Sequence, residues 1–188
     1  MSGRYYELGD FVGKPYERAN GASLTGSSFE IARTAAVVDN KVELRKAVVL
    51  PVGEAALQIT YRIRNTSQIP LTILFAPEFN FALMSGDCPE RYYYQTDRGL
   101  EHAPLNSIGI CEAVRRFSLF DEDDGFAVHF EFAEPTEIWR YPCETVSQSE
   151  GGFERNYQSS CVLPIFRLTV AGEGEFSTSF RVRLQLLR

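Results

Sequence analysis

Period two dominates the order of apolar and polar residues in this chain. In Ala56–Asn65, Leu57, Ile59, Tyr61 and Ile63 fall on one side and Gln58, Thr60, Arg62 and Arg64 on the other, as a half-buried strand requires. The C-terminal stretch repeats the device, with Phe176, Thr178, Phe180, Val182, Leu184 and Leu186 opposing Ser177, Ser179, Arg181, Arg183 and Gln185. Between them, 115–132 reads as a hairpin turning at Asp123-Asp124-Gly125, its return strand lined by Phe126, Val128, Phe130 and Phe132. Further strands are predicted over 29–38, 42–50, 71–83, 91–96, 138–147 and 157–170. They are separated by breaker clusters such as Asp39-Asn40, Pro51-Val52-Gly53, Asn65-Thr66-Ser67, Ser85-Gly86-Asp87 and Gly172-Glu173-Gly174. No stretch carries a sustained i, i+3, i+4, i+7 stripe, so helix is expected to be scarce. Many strands with one polar and one apolar face predict an all-β protein, an antiparallel β-sandwich, with a closed barrel as the alternative that alternation alone leaves open.

The opening residues 1–24 differ. Glycines, a proline and Asn20 interrupt them without a clear period, and Tyr5, Tyr6, Leu8, Phe11 and Tyr16 are too aromatic for a free linker. They are expected to dock as a lead-in on a single sandwich domain spanning 25–188. The chain's 188 residues suffice for one self-supporting core. Lys and Arg number 19 against 25 Asp and Glu, a net charge of −6 without a basic cluster, which argues against a nucleic-acid partner. No apolar run is long enough to cross a membrane as a helix and no export signal opens the chain, so a cytoplasmic location is expected. Cys88, Cys111, Cys143 and Cys161 are widely spaced, which favours free thiols over a metal site. Asn65-Thr66-Ser67 matches a glycosylation acceptor, a pattern short enough to recur by chance.

Motifs for phosphate loops, dinucleotide binding, zinc proteases and serine hydrolases are missing from the sequence, and no cofactor is expected. Only two histidines occur. His129 alternates with Ala127 and Glu131 and is expected to face solvent, while His102 is placed in a loop over 99–104. The acidic run Asp121–Asp124 lacks the spacing of a calcium loop and reads as a solvated hairpin tip. Two stretches depart from ordinary strand composition. In Phe75–Met84, Phe79 and Phe81 take the apolar face and throw Glu78 and Asn80 together on the other. In Ile138–Gly152, Trp139 and Tyr141 share a face ahead of a polar series that includes Glu144, Gln148 and Glu150. Exposed rings stack on sugar faces while carboxylates and amides bridge hydroxyl pairs, so Glu78, Asn80, Trp139, Tyr141, Glu144, Gln148 and Glu150 form the candidate carbohydrate-binding set. The competing reading makes the lone tryptophan core and the polar series a sheet edge.

At these residues a family resemblance emerges. The stretch PCETVSQSEGGFERNYQSSCVLPIF, 142–166, resembles the C-terminal domain of glycoside hydrolase family 57, the α-amylase and 4-α-glucanotransferase group. YELGDFVGKPYE, 6–17, and PEFNFALMSGD, 77–87, are similar to other segments of that domain. The resemblance implies a β-sandwich of the galactose mutarotase-like supersandwich type. It also implies that the catalytic Glu and Asp of such enzymes belong to an N-terminal α/β barrel that nothing in this sequence resembles, so no catalytic residue is carried over. The expected role is an accessory domain packing on that barrel and touching an α-glucan or maltooligosaccharide, with self-association of the domain when alone. The alternative is a stand-alone mutarotase-like or glycosidase enzyme using Glu78, Glu144 or Glu150 as general base.

Overall fold

The computed structural model describes residues 5–19, 27–95, 100–149 and 152–187. Among them the structure is strand and turn without helix, and every registered strand pair is antiparallel, as period-two patterning demands. The strands are β1 Glu17–Arg18, β2 Ser28–Val37, β3 Asn40–Val49, β4 Ala56–Asn65, β5 Leu71–Phe75, β6 Phe79–Phe81, β7 Arg91–Gln95, β8 Leu100–Pro104, β9 Gly109–Asp121, β10 Phe126–Ser149, β11 Gly152–Val170 and β12 Glu175–Leu186. The chain forms two compact units. One comprises Ser2–Phe75 with Arg167–Val182, the other Ala76–Phe166 with Arg183–Arg188, so β11 and β12 contribute to both.

In the first unit β1, β2, β3 and β4 are successive neighbours. β2 and β3 pair from Ser28↔Val49 to Val37↔Asn40, leaving a two-residue loop in which Val38 takes the left-handed region at φ 52°. The lead-in segment runs along β2. Gly9 bridges Val37, Glu17 and Arg18 pair with Ala32 and Ile31, and Arg33 donates to the carbonyls of Asp10 and Pro15. The core is built from the faces that alternation assigns: Val42, Leu44, Val48, Ile59, Tyr61, Ile63 and Phe180 are buried, and the Tyr61 ring meets Phe75 edge-on at 5.2 Å.

The turns of this unit are tied through one buried amide. Asn65 is fully buried; its Nδ2 donates to the carbonyls of Ile69 and Ala171 at 2.8 and 3.1 Å, and its Oδ1 accepts from Asn40 Nδ2 and the Ser67 N–H. A side chain so engaged is no acceptor for a glycan. Close packing at the same place explains Gly172, where a Cβ would lie 1.9 Å from the Gln68 carbonyl oxygen.

In the second unit β9 lies between β7 and β10, β8 pairs with β7, and β11 runs back along β10 with β6 on its far side. Tyr93, Leu105, Val114, Phe117, Phe130, Ile138 and Val162 are fully buried, and Phe79 and Phe81 of β6 set their edges against Phe130. Several expectations change here. The strand expected over 71–83 is broken at Ala76-Pro77-Glu78, where proline removes a ladder donor. The strands expected over 126–132 and 138–147 are parts of one, β10. The loop expected around His102 is β8, with His102 at φ 51° and its ring stacked on Tyr92 at 3.9 Å. The acidic tip is solvated only in part: Asp121 is fully buried and accepts from Arg91 Nε at 2.7 Å, a pair joined by a second contact from Arg91 to Asp123.

Removing the Asn65 amide strands buried carbonyls in two turns at once. Asn65→Ala is expected to cost roughly 2–4 kcal/mol in urea denaturation; a loss below about 1 kcal/mol would show that water replaces the amide without penalty.

Candidate functional site

Antiparallel register sets which side chains meet. Asn80 on β6 lies opposite Cys161 on β11, and Cys161 lies opposite Tyr141 on β10, so the three form one row across three strands on one face. Alternation along the strands adds Cys143 and Trp139 to that face and puts Phe79, Phe81, Ile138 and Val162 on the core side, while Glu78, in the break before β6, joins the row through its contact with Asn80. The Asn80 amide donates to Glu78 Oε1 at 2.7 Å and its carbonyl accepts from the Cys143 thiol at 3.7 Å. Glu78 and Asn80 are exposed, and Tyr141 and Cys143 are half-buried. The row therefore presents a carboxylate, an amide, a phenol and a thiol side by side.

Burial keeps the Tyr141 phenol and the Cys161 thiol neutral. Burial raises the Tyr141 phenol, helped by its hydrogen bond with Cys161 and the charge of Glu78. Burial likewise pushes the Cys161 thiol up to about 12, against the lowering effect of the Tyr141 hydrogen bond and with added repulsion from Glu78 and Cys143. A thiol so shifted is not a nucleophile at neutral pH. The surface is one of hydrogen-bond donors and acceptors, suited to recognising hydroxyls.

The sequence-derived set divides. Glu78, Asn80 and Tyr141 come together. Trp139 shares their face but is only 7% exposed, with its Nε1 donating to Glu137, so the expectation of an exposed stacking ring at Trp139 is corrected: the residue is buried. Glu144 and Gln148 stand at even positions on β10 and so face away from Trp139 and Tyr141; Glu144 pairs with Arg155 at 3.6 Å. Glu150 lies outside the described residues. Sequence reasoning missed Cys143 and Cys161 as members of the row, because only the register of β6, β10 and β11 brings them beside Asn80.

Neither histidine joins the row. His129, expected at the surface, is 2% exposed, because its strand is covered on both faces: Ala127, His129 and Phe130 are all buried. Gln185 Oε1 can only accept, so His129 Nε2 donates to it at 3.0 Å, and Nδ1 accepts from the Ser118 hydroxyl at 2.7 Å. Burial, with repulsion from Arg116 and Arg183, lowers the ring to about 4. Among the described residues, Cys88, Glu90 and Asp123 bring ligand atoms within 4.8 Å of one another, but the Arg91 guanidinium already contacts Cys88 and Asp123, so a cation stands there without metal.

Residues 1–180 match the family described as alpha-amylase/4-alpha-glucanotransferase, C-terminal. The chain is 31% identical over 141 residues to alpha-amylase 1 of Dictyoglomus thermophilum, covering 74% of this chain and 20% of that protein. It is 27% identical over 184 residues to the 4-alpha-glucanotransferase of Thermococcus litoralis, covering 95% of this chain and 23% of the enzyme. The crystal structure of that glucanotransferase superposes with a TM-score of 0.66 at 23% identity, over 97% of this chain and 24% of the other. A galactose mutarotase related enzyme from Lactobacillus acidophilus shares the fold, with a TM-score of 0.57 at 16% identity over 92% and 71% of the two chains. The chain thus spans about a fifth of the length of the curated relatives it matches.

His129 supplies a pH prediction. A ring held neutral by the fold and free to protonate once unfolded stabilises fully above about 6.5 and loses that contribution as pH falls toward 4. Denaturation midpoints between pH 7 and 4 should show a loss of roughly 3 kcal/mol that His129→Gln removes, with an NMR titration of the ring near 4. A ring titrating near 6.5 would contradict the burial assigned to it.

Proposed function

The chain belongs to the alpha-amylase/4-alpha-glucanotransferase C-terminal family, and from that premise we propose that it serves as the non-catalytic C-terminal module of an α-glucan-processing enzyme. It packs beside the catalytic region and offers the Glu78, Asn80 and Tyr141 row to a maltooligosaccharide. The observation that carries this reading is the row itself: a carboxylate and an amide joined at 2.7 Å, set against a half-buried phenol, is an array for a pair of vicinal sugar hydroxyls. The direction of the pKa shifts supports a binding rather than a catalytic role, because Tyr141 and Cys161 rise and His129 falls, each away from the neutral range where proton transfer works best. All four cysteines are free thiols, which suits a cytoplasmic setting.

Calorimetric titration with maltooligosaccharides tests the reading. Asn80→Ala and Glu78→Ala are each expected to weaken binding roughly 5- to 30-fold, the loss of one hydrogen bond to a charged or amide group. Glu144→Gln, on the opposite face, is expected to leave it unchanged. Absence of binding by the unmodified chain at millimolar sugar would remove the sugar-contact part, and hydrolysis, transglycosylation or accelerated anomerisation by the chain alone would overturn the non-catalytic part.

A further inference from the structure

The β10–β11 ladder continues past the point where its neighbours stop. Pairing of β10 with β9 reaches Arg140 and pairing of β11 with β6 reaches Ser160, whereas β10 and β11 stay paired to each other out to Ser149↔Gly152. The resulting ribbon is two-faced. Glu144↔Tyr157, Val146↔Arg155 and Gln148↔Phe153 share one side. Thr145, Ser147 and Asn156 share the other, which is polar throughout and cross-linked by Asn156 Nδ2 to Ser147 Oγ at 2.9 Å and Gln158 Nε2 to Thr145 Oγ1 at 3.2 Å.

The side carrying Val146 continues the even positions of β10 that supply buried Ile138 and Arg140. It is thus the core face of the unit prolonged into solvent, with Val146 64% and Phe153 79% exposed. An isolated two-stranded ribbon is marginal in water, and an apolar face on one calls for a cover.

Area decides between occupants. Six residues per strand at about 3.3 Å, across a ribbon about 10 Å wide, offer about 200 Å². A stable dimer needs about 800 Å² from each partner, so a second copy bound by this face alone falls short. A surface tethered in the same polypeptide needs far less, because the tether supplies the effective concentration. The curated relatives carry about four-fifths of their length outside the matched region, and the family is the C-terminal part of such proteins.

We propose that the Val146 and Phe153 side of the β10–β11 ribbon is the docking surface for the catalytic region of an α-glucan enzyme. The proposal rests on the reading that the chain works beside such a region, and it assigns the contact to a face distinct from the Tyr141 row.

The test compares residues 1–188 alone with a chimera in which they replace the matched region of the T. litoralis glucanotransferase. In the chain alone, backbone amides of 144–148 and 153–157 should exchange rapidly, and Phe153→Asp should leave the thermal midpoint unchanged. In the chimera the same amides should slow by about tenfold or more, and Phe153→Asp should abolish that slowing while Asn156→Asp does not. Equal exchange in the two settings overturns the proposal, as does protection in the chain alone, whether as a monomer or as a dimer by sedimentation. Should the chimera fail to fold, Asp at the positions aligned with Phe153 and Asn156 in the intact glucanotransferase gives the same comparison: a lower midpoint for the first alone supports the proposal, and equal midpoints overturn it. Glucan titration of the chain alone reads the Tyr141 row separately, so the two readings can fail independently.

Discussion

The antiparallel register of β10 against β11 is the constraint on which the second unit turns. Once Tyr141 lies opposite Cys161 and Ile138 opposite Pro164, the sides of residues 137–148 on β10 and 159–165 on β11 follow, because successive side chains must point to opposite faces. One face carries Tyr141 and Cys143 toward Asn80; the other carries Ile138 into the core and Val146 beyond it. The register shift between Cys143 and Glu144 passes Gln158 as an extra residue on β11 and leaves the alternation of β10 intact. A single ladder therefore gives one molecule two surfaces with different chemistry.

Much of this was legible in the residues. The alternation in 56–65 located β4, and Glu78 and Asn80 were separable from Phe79 and Phe81 by parity alone. Parity also separates Glu144 and Gln148 from Trp139 and Tyr141, a distinction that a grouping by composition passes over. Other features depend on partners far along the chain. The burial of Asp121 requires Arg91, thirty positions earlier, and the burial of His129 requires Ser118 and Gln185 on two other strands. Period two reports one covered face; it is silent when both are covered, as around Ala127 to Phe130. Trp139 follows the same rule, since its face is the right one for the row but its ring is enclosed.

The unit built on β2, β3 and β4 solves a different problem. The apolar residues of its turns, Val38, Leu50, Val52 and Ile69, are exposed, and a buried amide, Asn65, gathers the carbonyls of Ile69 and Ala171 in place of apolar packing. Matching is not complete, since Gln95 Nε2 and Arg140 Nε are buried without a hydrogen-bond partner; Arg91 and Asp121 are buried as an ion pair, and burial raises the Tyr61 and Tyr93 phenols as it does Tyr141.

The two faces of the β10–β11 ladder are proposed to have separate tasks, sugar contact on the Tyr141 side and docking on the Val146 side. Mapping of backbone amide and side-chain NMR shifts during a maltooligosaccharide titration of the chain measures this most directly. The perturbed resonances are expected to centre on Glu78, Asn80, Tyr141 and Cys143, with Val146, Arg155 and Phe153 unmoved. Perturbations centred on Val146 and Phe153, or spread equally over both sides, would contradict it.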